Sequence, residues 1–460
     1  MRIVILGAGQ VGSTLAETLA KEGHEITLVD QNPEGLSSLQ ERADIRVVQG
    51  HAAHPSTLKR AGGQDAELVI AVTESDETNM LACKVAHIVF HSPTKIARVR
   101  SSEYLEAKEL LFSQDALAVD IHIAPEQLVT DYIYRMIEHP NALEVADFFE
   151  GQVRLIAIRA HHSGLISGRS IKELSKHLQG LEMRIAAIYR RDRPRQLDGN
   201  AEIEADDEVF FVCAREDAAK ITAELRRQEK PVKRVLIAGG GNVGLRLAKI
   251  LEKQKIQVKI IEKNRDRAKI LAEQLENTVI LHGDAANDKL LREEGIEDVD
   301  FFCAITNDDE ANILSAMLAK QMGAKRVAAL INRVAYLELI QKNRAIDVAI
   351  SPQMITVSSV LAHVRKGDIE KVHNLRNGTA EAMEVVLHGD KGNSKLIGRR
   401  FEELKLPPNT TIPILVRQGK VIAVHHDTLI EEGDHAIIFN GDKKNARALE
   451  GLLSVGLTFV

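Results

Sequence analysis

The sequence predicts an α/β protein built twice over: two Rossmann-like, doubly wound parallel-sheet domains, each followed by a small α+β domain. Three observations predict this. An apolar strand, a glycine turn and a helix occur as Ile3-Val-Ile-Leu-Gly-Ala-Gly-Gln-Val-Gly12 and again as Val235-Leu-Ile-Ala-Gly-Gly-Gly-Asn-Val-Gly244. An acid closes the next strand in both copies, and Gly239 and Glu262 each lie 232 residues past their counterparts Gly7 and Asp30. Beyond each α/β stretch the pattern turns strand-rich. A repeat of this length marks two copies of one unit.

The elements follow in order. Ile3 to Leu6 reads as a strand buried on both faces. Gly7 permits a tight turn, Gly9 lets a pyrophosphate approach the backbone, and Gly12 lets the helix pack on the strand. Ala8, Gln10 and Val11 complete a loop at a helix N-terminus, where free N–H groups suit an anion. Asp30 ends the strand His24–Asp30, 18 residues past Gly12, the spacing of a ribose-binding acid. Arg46-Val-Val, Leu68–Val72, Ile96–Val99 and a short Leu117–Val119 read as further strands, with helices between them, the clearest from Asp76 to Val89. Such alternation gives a parallel sheet with both faces covered. Ligand then sits at the carboxyl ends of the strands, which places Gly7–Gly12, Asp30, His51, Thr73 and Arg98 on one rim.

The second copy supplies Gly239, Gly240, Gly241, Asn242, Val243 and Glu262. Gly50-His-Ala-Ala matches Gly283-Asp-Ala-Ala at an offset of 233, which sets Asp284 opposite His51. Thr73-Glu-Ser-Asp-Glu-Thr-Asn79 matches Thr306-Asn-Asp-Asp-Glu-Ala-Asn312. Tyr104 and Tyr336 restore the offset of 232 and set Leu330 opposite Arg98.

Pro125 opens a helical stretch to Glu138, and Pro352 opens one to Val364. These are crossovers to the next domain or partner-binding helices. Their apolar residues Ile133, Ile137, Ile355 and Leu361 are expected to pair with another unit, within or between chains. From about residue 140, Val153–Ile158, Ile185–Ile188 and Val209–Cys213 read as strands, and Gly168–Leu174 starts a short helix. Gly398–Leu404 and Ile412–Val416 repeat the pattern, and Ile203–Glu208 matches Ile430–His435 as a turn into a final strand. A charged helix, Glu216 to Glu229, closed by Pro231, joins the units. The expected domains are 1–123, 140–226, 232–350 and 370–454.

Composition narrows the function. At 460 residues, with 44% hydrophobic and 27% charged residues, the chain suits several globular domains. A net charge of −6 gives no basic footprint for nucleic acid, and 3% aromatics with no Trp leave few base-stacking platforms. Cys83, Cys213 and Cys303 are scattered in apolar surroundings, as buried thiols in a reducing cytoplasm would be. Met1-Arg2 leads straight into a strand, so no signal peptide is expected. No apolar run approaches the ~18 residues of a membrane span.

Several side chains admit two readings. Thr73 and Thr306 precede helix starts and could be N-caps or pocket walls. Arg98 could meet phosphate or pair with an acid at its strand end. His51 and His54 have HxxH spacing, but nothing nearby completes a metal site, so a solvated turn or an adenine contact is expected. The adjacent pairs His161-His162 and His425-His426 lie in or near strands, face opposite ways and suit the surface. There is no GxxxxGK[ST] and no nucleophile–base constellation, which argues against an enzyme. A carboxylate at Asp30 and Glu262 favours NAD or adenosine phosphates over NADP. The first rim offers His51, Arg98 and Arg100, while the second offers Asp284, Leu330, Asn332 and Arg333 with Asp308 and Asp309. The first pocket is therefore expected to take polyphosphates more tightly.

Duplicated glycine loops, each followed by a small Gly-Arg-x-[Ile/Phe]-x-Glu-Leu domain, with Gly50-His-Ala-Ala-His-Pro55 and Ala304–Ile313, resemble the tandem RCK (KTN) family over essentially all 460 residues. The resemblance implies a regulator of potassium transport that responds to NAD(H) and to ATP/ADP. It implies nucleotide binding by Gly7 to Val11, Asp30, Thr73, Glu74 and Arg98, and by Gly239 to Val243, Glu262, Asp284 and Thr306. It further implies a homotetrameric ring, peripheral on the cytoplasmic face of the inner membrane, docked on a TrkH/TrkG-type potassium transporter subunit. The alternative is an NAD-dependent oxidoreductase with duplicated Rossmann domains. The small domains offer it no acid–base cluster common to both.

Overall fold

The computed structural model describes the chain apart from residues 34–35, 37–38, 40–43, 141, 161–165, 179, 226–230, 344, 365–368, 377–378 and 454–460. His161 and His162, and the joining helix beyond Leu225, therefore lie outside the described residues. The chain forms two compact units, Met1–Leu128 with Gln353–Arg365, and Val129–Pro352 with Lys366–Val460.

The first unit is built on a parallel sheet of β1 (Arg2–Leu6), β2 (Glu25–Asp30), β3 (Ile45–Gln49), β4 (Leu68–Ala71), β5 (Thr94–Arg98) and β6 (Ile121–Ile123), in the order β3-β2-β1-β4-β5-β6. Ile3 pairs with both Ile26 and Leu68, so the order reverses beside β1, which creates the switch point for a ligand. Alternate residues of β1 serve two cores. Ile3 and Ile5 pack with Leu15 and Leu19 of the helix Gln10–Lys21, while Val4 and Leu6 pack with Met80, Cys83 and Ala86 of the helix Asp76–Phe90. The last strand lies at Ile121–Ile123 rather than at Leu117–Val119. Ala118 has φ +53°, a left-handed conformation that no strand accommodates.

One helix of this unit comes from far along the chain. Val357, Val360, Leu361 and Val364 of the helix Pro352–Val364 complete the core that holds Ile3 and Ile5. Gln353 Nε2 donates to the carbonyl of Gln10 at 3.0 Å. The helix that follows the second parallel sheet thus covers the first. Reciprocally, residues from Val129 onward in the helix Pro125–Glu138 group with the second sheet, and Ile133 and Ile137 are buried. Arg326 Nη2, on that sheet, donates to the carbonyl of Ala142.

In the second unit, β7 (Ala142–Phe148), β8 (Val153–Arg159), β10 (Met183–Arg190), β11 (Arg193–Pro194) and β13 (Glu208–Ala214) form an antiparallel sheet in the order β11-β10-β13-β8-β7. A ribbon pairs β9 (Arg169–Ser170) with β12 (Glu202–Ile203). Ser170 and Glu173 cap the short helix Ile171–His177 reciprocally, whereas its later counterpart shrinks to the single turn Phe401–Glu403. The second parallel sheet comprises β14 (Arg234–Ala238), β15 (Gln257–Glu262), β16 (Val279–His282), β17 (Phe301–Ala304), β18 (Arg326–Leu330) and β19 (Val348–Ile350), ordered β16-β15-β14-β17-β18-β19. The second antiparallel sheet comprises β20 (Ile369–Leu375), β21 (Ala380–Val386), β22 (Thr410–Arg417), β23 (Lys420–Ala423) and β24 (His435–Asn440), ordered β20-β21-β24-β22-β23.

The two antiparallel sheets share one core. Phe148 and Phe210 pack with Ala382, Ile437 and Phe439, and the Phe210 and Phe439 rings lie 5.4 Å apart. An antiparallel sheet with one apolar face needs such a cover. The repeated turns Ile203–Glu208 and Ile430–His435 each hold a fully buried aspartate. Asp207 pairs with Arg190 at 2.9 Å, and Asp434 with Arg417 at 2.7 Å. All three cysteines are free and buried. Among the described residues, no helix is long and apolar enough to cross a membrane.

Two candidate nucleotide sites

Both glycine loops leave their sheets at the switch point, and their three glycines have different duties. Gly7 has φ +108°, and a Cβ there would lie 2.9 Å from the Thr73 nitrogen. A Cβ on Gly12 would lie 1.8 Å from the Gly7 carbonyl oxygen, whereas one on Gly9 would meet nothing within 4 Å. The outer glycines therefore close the turn, and the middle one leaves open space beside the helix N-terminus. No side chain caps that helix, so its first-turn N–H groups are left to solvent or ligand. The second loop repeats this: Gly239 has φ +111°, Gly244 would clash with Gly239, and Gly241 opens onto space.

The two acids hold their loops identically. Asp30 accepts from Ala8 N at 2.6 Å and from Asn32 N at 2.9 Å. Glu262 accepts from Gly240 N at 2.8 Å and from Asn264 N at 2.7 Å. Each carboxylate is fixed at the end of its strand with lone pairs to spare for a diol.

Thr73 and Thr306 do not cap helices. The caps are Ser75, which accepts from Thr78 N, and Asp308, which accepts from Ala311 N. Thr73 instead donates its N–H and hydroxyl to Asn79 Oδ1, at 2.8 and 2.6 Å. Asn79 Nδ2 donates in turn to the carbonyls of Thr73 and Arg98. Thr306, Asn312 and Leu330 reproduce this network, and Asn79 and Asn312 are both fully buried. These amides stitch the ends of neighbouring strands together, and sequence reading passed over them within a repeated run. A polar residue on an otherwise apolar helix face was the signal. The network also fixes Leu330 as the counterpart of Arg98.

Among the described residues, Arg98 makes no ion pair with a strand-end acid. Its Nη2 donates to the Thr73 carbonyl at 2.6 Å, and its Nε is buried without a hydrogen bond. Burial, with Arg100 adding, pushes its pKa below the usual arginine range. The neighbouring Asp76 is taken by the N–H groups of Arg100 and Ser101, both at 2.8 Å. Asp309 is likewise taken by Asn332 N and Arg333 N, and the Arg333 guanidinium turns to Glu310 at 2.9 Å. Glu74 is exposed and offers its carbonyl to Arg100 Nη2.

His51 and Asp284 share a local duty, each accepting from an N–H two residues on: Ala53 N at 3.2 Å and Ala286 N at 2.9 Å. The His51 ring stacks on His54 with centroids 4.4 Å apart, an arrangement in which the two rings do not converge on one ion. The Ala286 N–H, and then Lys263 at 3.1 Å, hold Asp284 below the usual carboxylate range. His425 lies in a turn, where its Nδ1 accepts from Arg184 Nη2.

One arginine at the second loop escaped the sequence reading. Arg267, in the helix Arg265–Gln274, donates Nε to the Gly240 carbonyl at 2.7 Å, and its Nη2 is buried without a hydrogen bond. The second rim is thus less poor in cations than its strand-end residues imply. The counterpart, Gly35, lies outside the described residues.

The sequence profile of the TrkA-N domain matches residues 3–125 and 235–352, and that of the TrkA-C domain matches residues 152–226. The sequence is 52% identical over 459 residues, covering 100% of both chains, to the Trk system potassium uptake protein TrkA of Halomonas elongata. It is 52% identical to that of Vibrio alginolyticus over 98% of each chain, and 46% identical to that of Haemophilus influenzae over the full length of both. Among solved structures, the GsuK channel bound to NAD matches with a TM-score of 0.61 at 16% identity, over 98% of this chain and 78% of that one. The GsuK RCK domain matches with a TM-score of 0.61 at 17% identity, over 98% and 94%. These two likenesses bear on the fold.

Proposed function

The chain belongs to the TrkA family of potassium uptake proteins, and from that premise we propose that it is a nucleotide-sensing regulatory subunit of potassium uptake. Each glycine loop takes the pyrophosphate of NAD(H), or the phosphates of ATP or ADP, at a helix N-terminus. Asp30 and Glu262 accept from the ribose hydroxyls. The observation that carries this reading is a buried guanidinium N–H left unused at each loop, Arg98 Nε in the first and Arg267 Nη2 in the second. A buried donor without a partner is costly, and a phosphate oxygen would relieve that cost.

The reading is one of binding without turnover. The same loop, acid and threonine–asparagine network is built twice, and among the described residues no acid–base pair common to both copies faces it. Occupancy of the pockets sets the state of a TrkH/TrkG-type membrane subunit, on whose cytoplasmic face a homotetrameric ring of this chain sits. Calorimetric titration of the full-length protein with NADH and ATP tests the first part, and two classes of site per chain are expected. Potassium flux through the membrane subunit in proteoliposomes, with and without nucleotide, tests the second. Absence of nucleotide binding at millimolar ligand, or flux indifferent to the added protein, would overturn the proposal. Reproducible oxidation of NADH by a hydroxy- or keto-acid couple would restore the dehydrogenase alternative.

A further inference from the structure

The second antiparallel sheet carries a cluster that the nucleotide reading does not use. Glu370 on β20, Glu384 on β21 and His435 on β24 come from three neighbouring strands, and one donor atom from each lies within 4.8 Å of the others. The register explains the convergence. Lys371 pairs with Glu384 and Val386 pairs with His435, so Glu384 and His435 are diagonal neighbours on one face. Glu370, one residue before Lys371, would normally point to the other face. The register slips between Ile369 and Lys371, and such a bulge re-aims the side chain it carries.

The three groups are held but under-used. Glu384 is 4% exposed and accepts from Phe149 N at 2.8 Å through Oε2. Nδ1 of His435 is buried, makes no hydrogen bond and lies 3.9 Å from Glu370 Oε2. The Phe149 ring meets the imidazole edge-on, with centroids 5.6 Å apart, which limits its rotation. Glu370 is half exposed and leaves a route for an ion and its water. The neighbouring Lys371 turns its Nζ to the Asp147 carbonyl at 2.6 Å. The corresponding positions of the first small domain, 227 residues earlier, are Leu143, Ala157 and Glu208. There Glu208 is paired with Arg159 at 2.7 Å. The fold therefore does not require the three ligands; only the second copy has them.

We propose that Glu370, Glu384 and His435 form a binding site for a divalent transition ion of the Zn2+ or Mn2+ class. One imidazole nitrogen and two carboxylate oxygens would bind the ion, and water would complete its shell. A nitrogen donor favours such ions over Mg2+ and Ca2+, which take all-oxygen shells. Two carboxylates and a neutral ring balance the double charge. The ion would clamp the edge strand β20 to β24 across β21.

The test uses the untagged full-length protein, stripped with a chelator and titrated with Zn2+, Mn2+ or Mg2+ by calorimetry. Wild type is compared with the double variant Glu370→Gln, His435→Gln, and with the exposed control His426→Gln. The wild type and the control are expected to bind one more equivalent of Zn2+ than the double variant, and to gain melting temperature with Zn2+ and Mn2+ but not with Mg2+. Equal stoichiometry in wild type and double variant, or an equal response to Mg2+, overturns the site. If the metal-free double variant melts lower than wild type, X-ray absorption of the Zn2+-loaded wild type decides. A shell with one imidazole nitrogen upholds the site, and one without it overturns it.

Discussion

Asp30 shows how much one residue carries here. It anchors the glycine loop through Ala8 and is the ribose acceptor of the proposed site, so Asp30→Ala is expected to remove charge-assisted bonds worth ~1.5–3 kcal/mol each. NADH affinity at the first site should fall about tenfold or more while the second site persists, as calorimetry would resolve. Unchanged affinity at both sites would remove Asp30 from the ligand set. Arg98→Leu copies what the second repeat already has at Leu330, so it should fold normally. It should weaken ATP at the first site several-fold, and Arg267→Leu should do the same at the second. ATP titrations indifferent to both changes would leave the unused N–H groups unexplained. His139 supplies a proton-linked case. Burial, with the Arg154 guanidinium beside it, pushes its pKa down to about 4, because Arg154 Nη1 donates to an Nε2 that must stay unprotonated. The unfolded ring titrates near ~6.5, so the stability tied to the neutral ring is complete above that pH and is lost as pH falls towards about 4. The linkage is worth roughly 3 kcal/mol. Urea melts should show a steeper loss between pH 7 and pH 5 in wild type than in His139→Gln; parallel curves would refute it. What was legible at this scale was whatever spacing encodes: the glycines and the acids at the next strand end. Asn79 and Arg267 were not, because their partners are set by the fold. Asn79 reaches the carbonyl of Arg98, 19 residues on, and Arg267 reaches back 27 residues to Gly240.

Elements were legible by period, their destinations less so. Alternation of apolar strands with amphipathic helices gave both parallel sheets, since a strand buried on two faces is apolar throughout. Strands β7 and β20 were missed because charged residues at both parities interrupt the apolar alternation of Ala142-Leu-Glu-Val-Ala-Asp-Phe148 and Ile369-Glu-Lys-Val-His-Asn-Leu375. The apolar face of the helix Pro352–Val364 was visible, but a period says which side is buried and not which sheet buries it. That sheet is the first. Leu361 is fully buried against it, so Leu361→Ala should cost about 2–5 kcal/mol. Hydrogen exchange should rise in the first parallel sheet more than in the second. An equal rise in both would show that the helix does not serve the first sheet. For the same reason residues 1–226 alone cannot stand in for the first repeat, because the helix covering its sheet lies beyond residue 350. Ligand preferences of the two sites must be separated by variants of the whole chain.

At the scale of the whole molecule, both repeats leave apolar side chains on equivalent helices open to solvent. Leu81 and Ile88 are 51% and 57% exposed on one, and Leu314 and Met317 are 61% and 42% exposed on the other. Faces of this kind are expected to be covered by other copies in a ring. Sedimentation at micromolar concentration should give a tetramer, and Leu81→Glu with Leu314→Glu should shift it to smaller species. A monomer unaffected by nucleotide would exclude the ring. The exchanged helices have a further meaning, one of inheritance. A gene encoding a single repeat would supply one such helix per chain, and a twin could lend its helix to cover the sheet. Two such twins would trade helices as this chain trades them with itself. In that pair every mutation would be written twice, once in each twin, and neither could specialise. Joining the two into one reading frame ends that constraint: Arg98 can stand where the other copy has Leu330, and Glu370 can arise where the other copy keeps Leu143. The fused chain keeps the borrowed helix while its two halves are free to diverge in sequence.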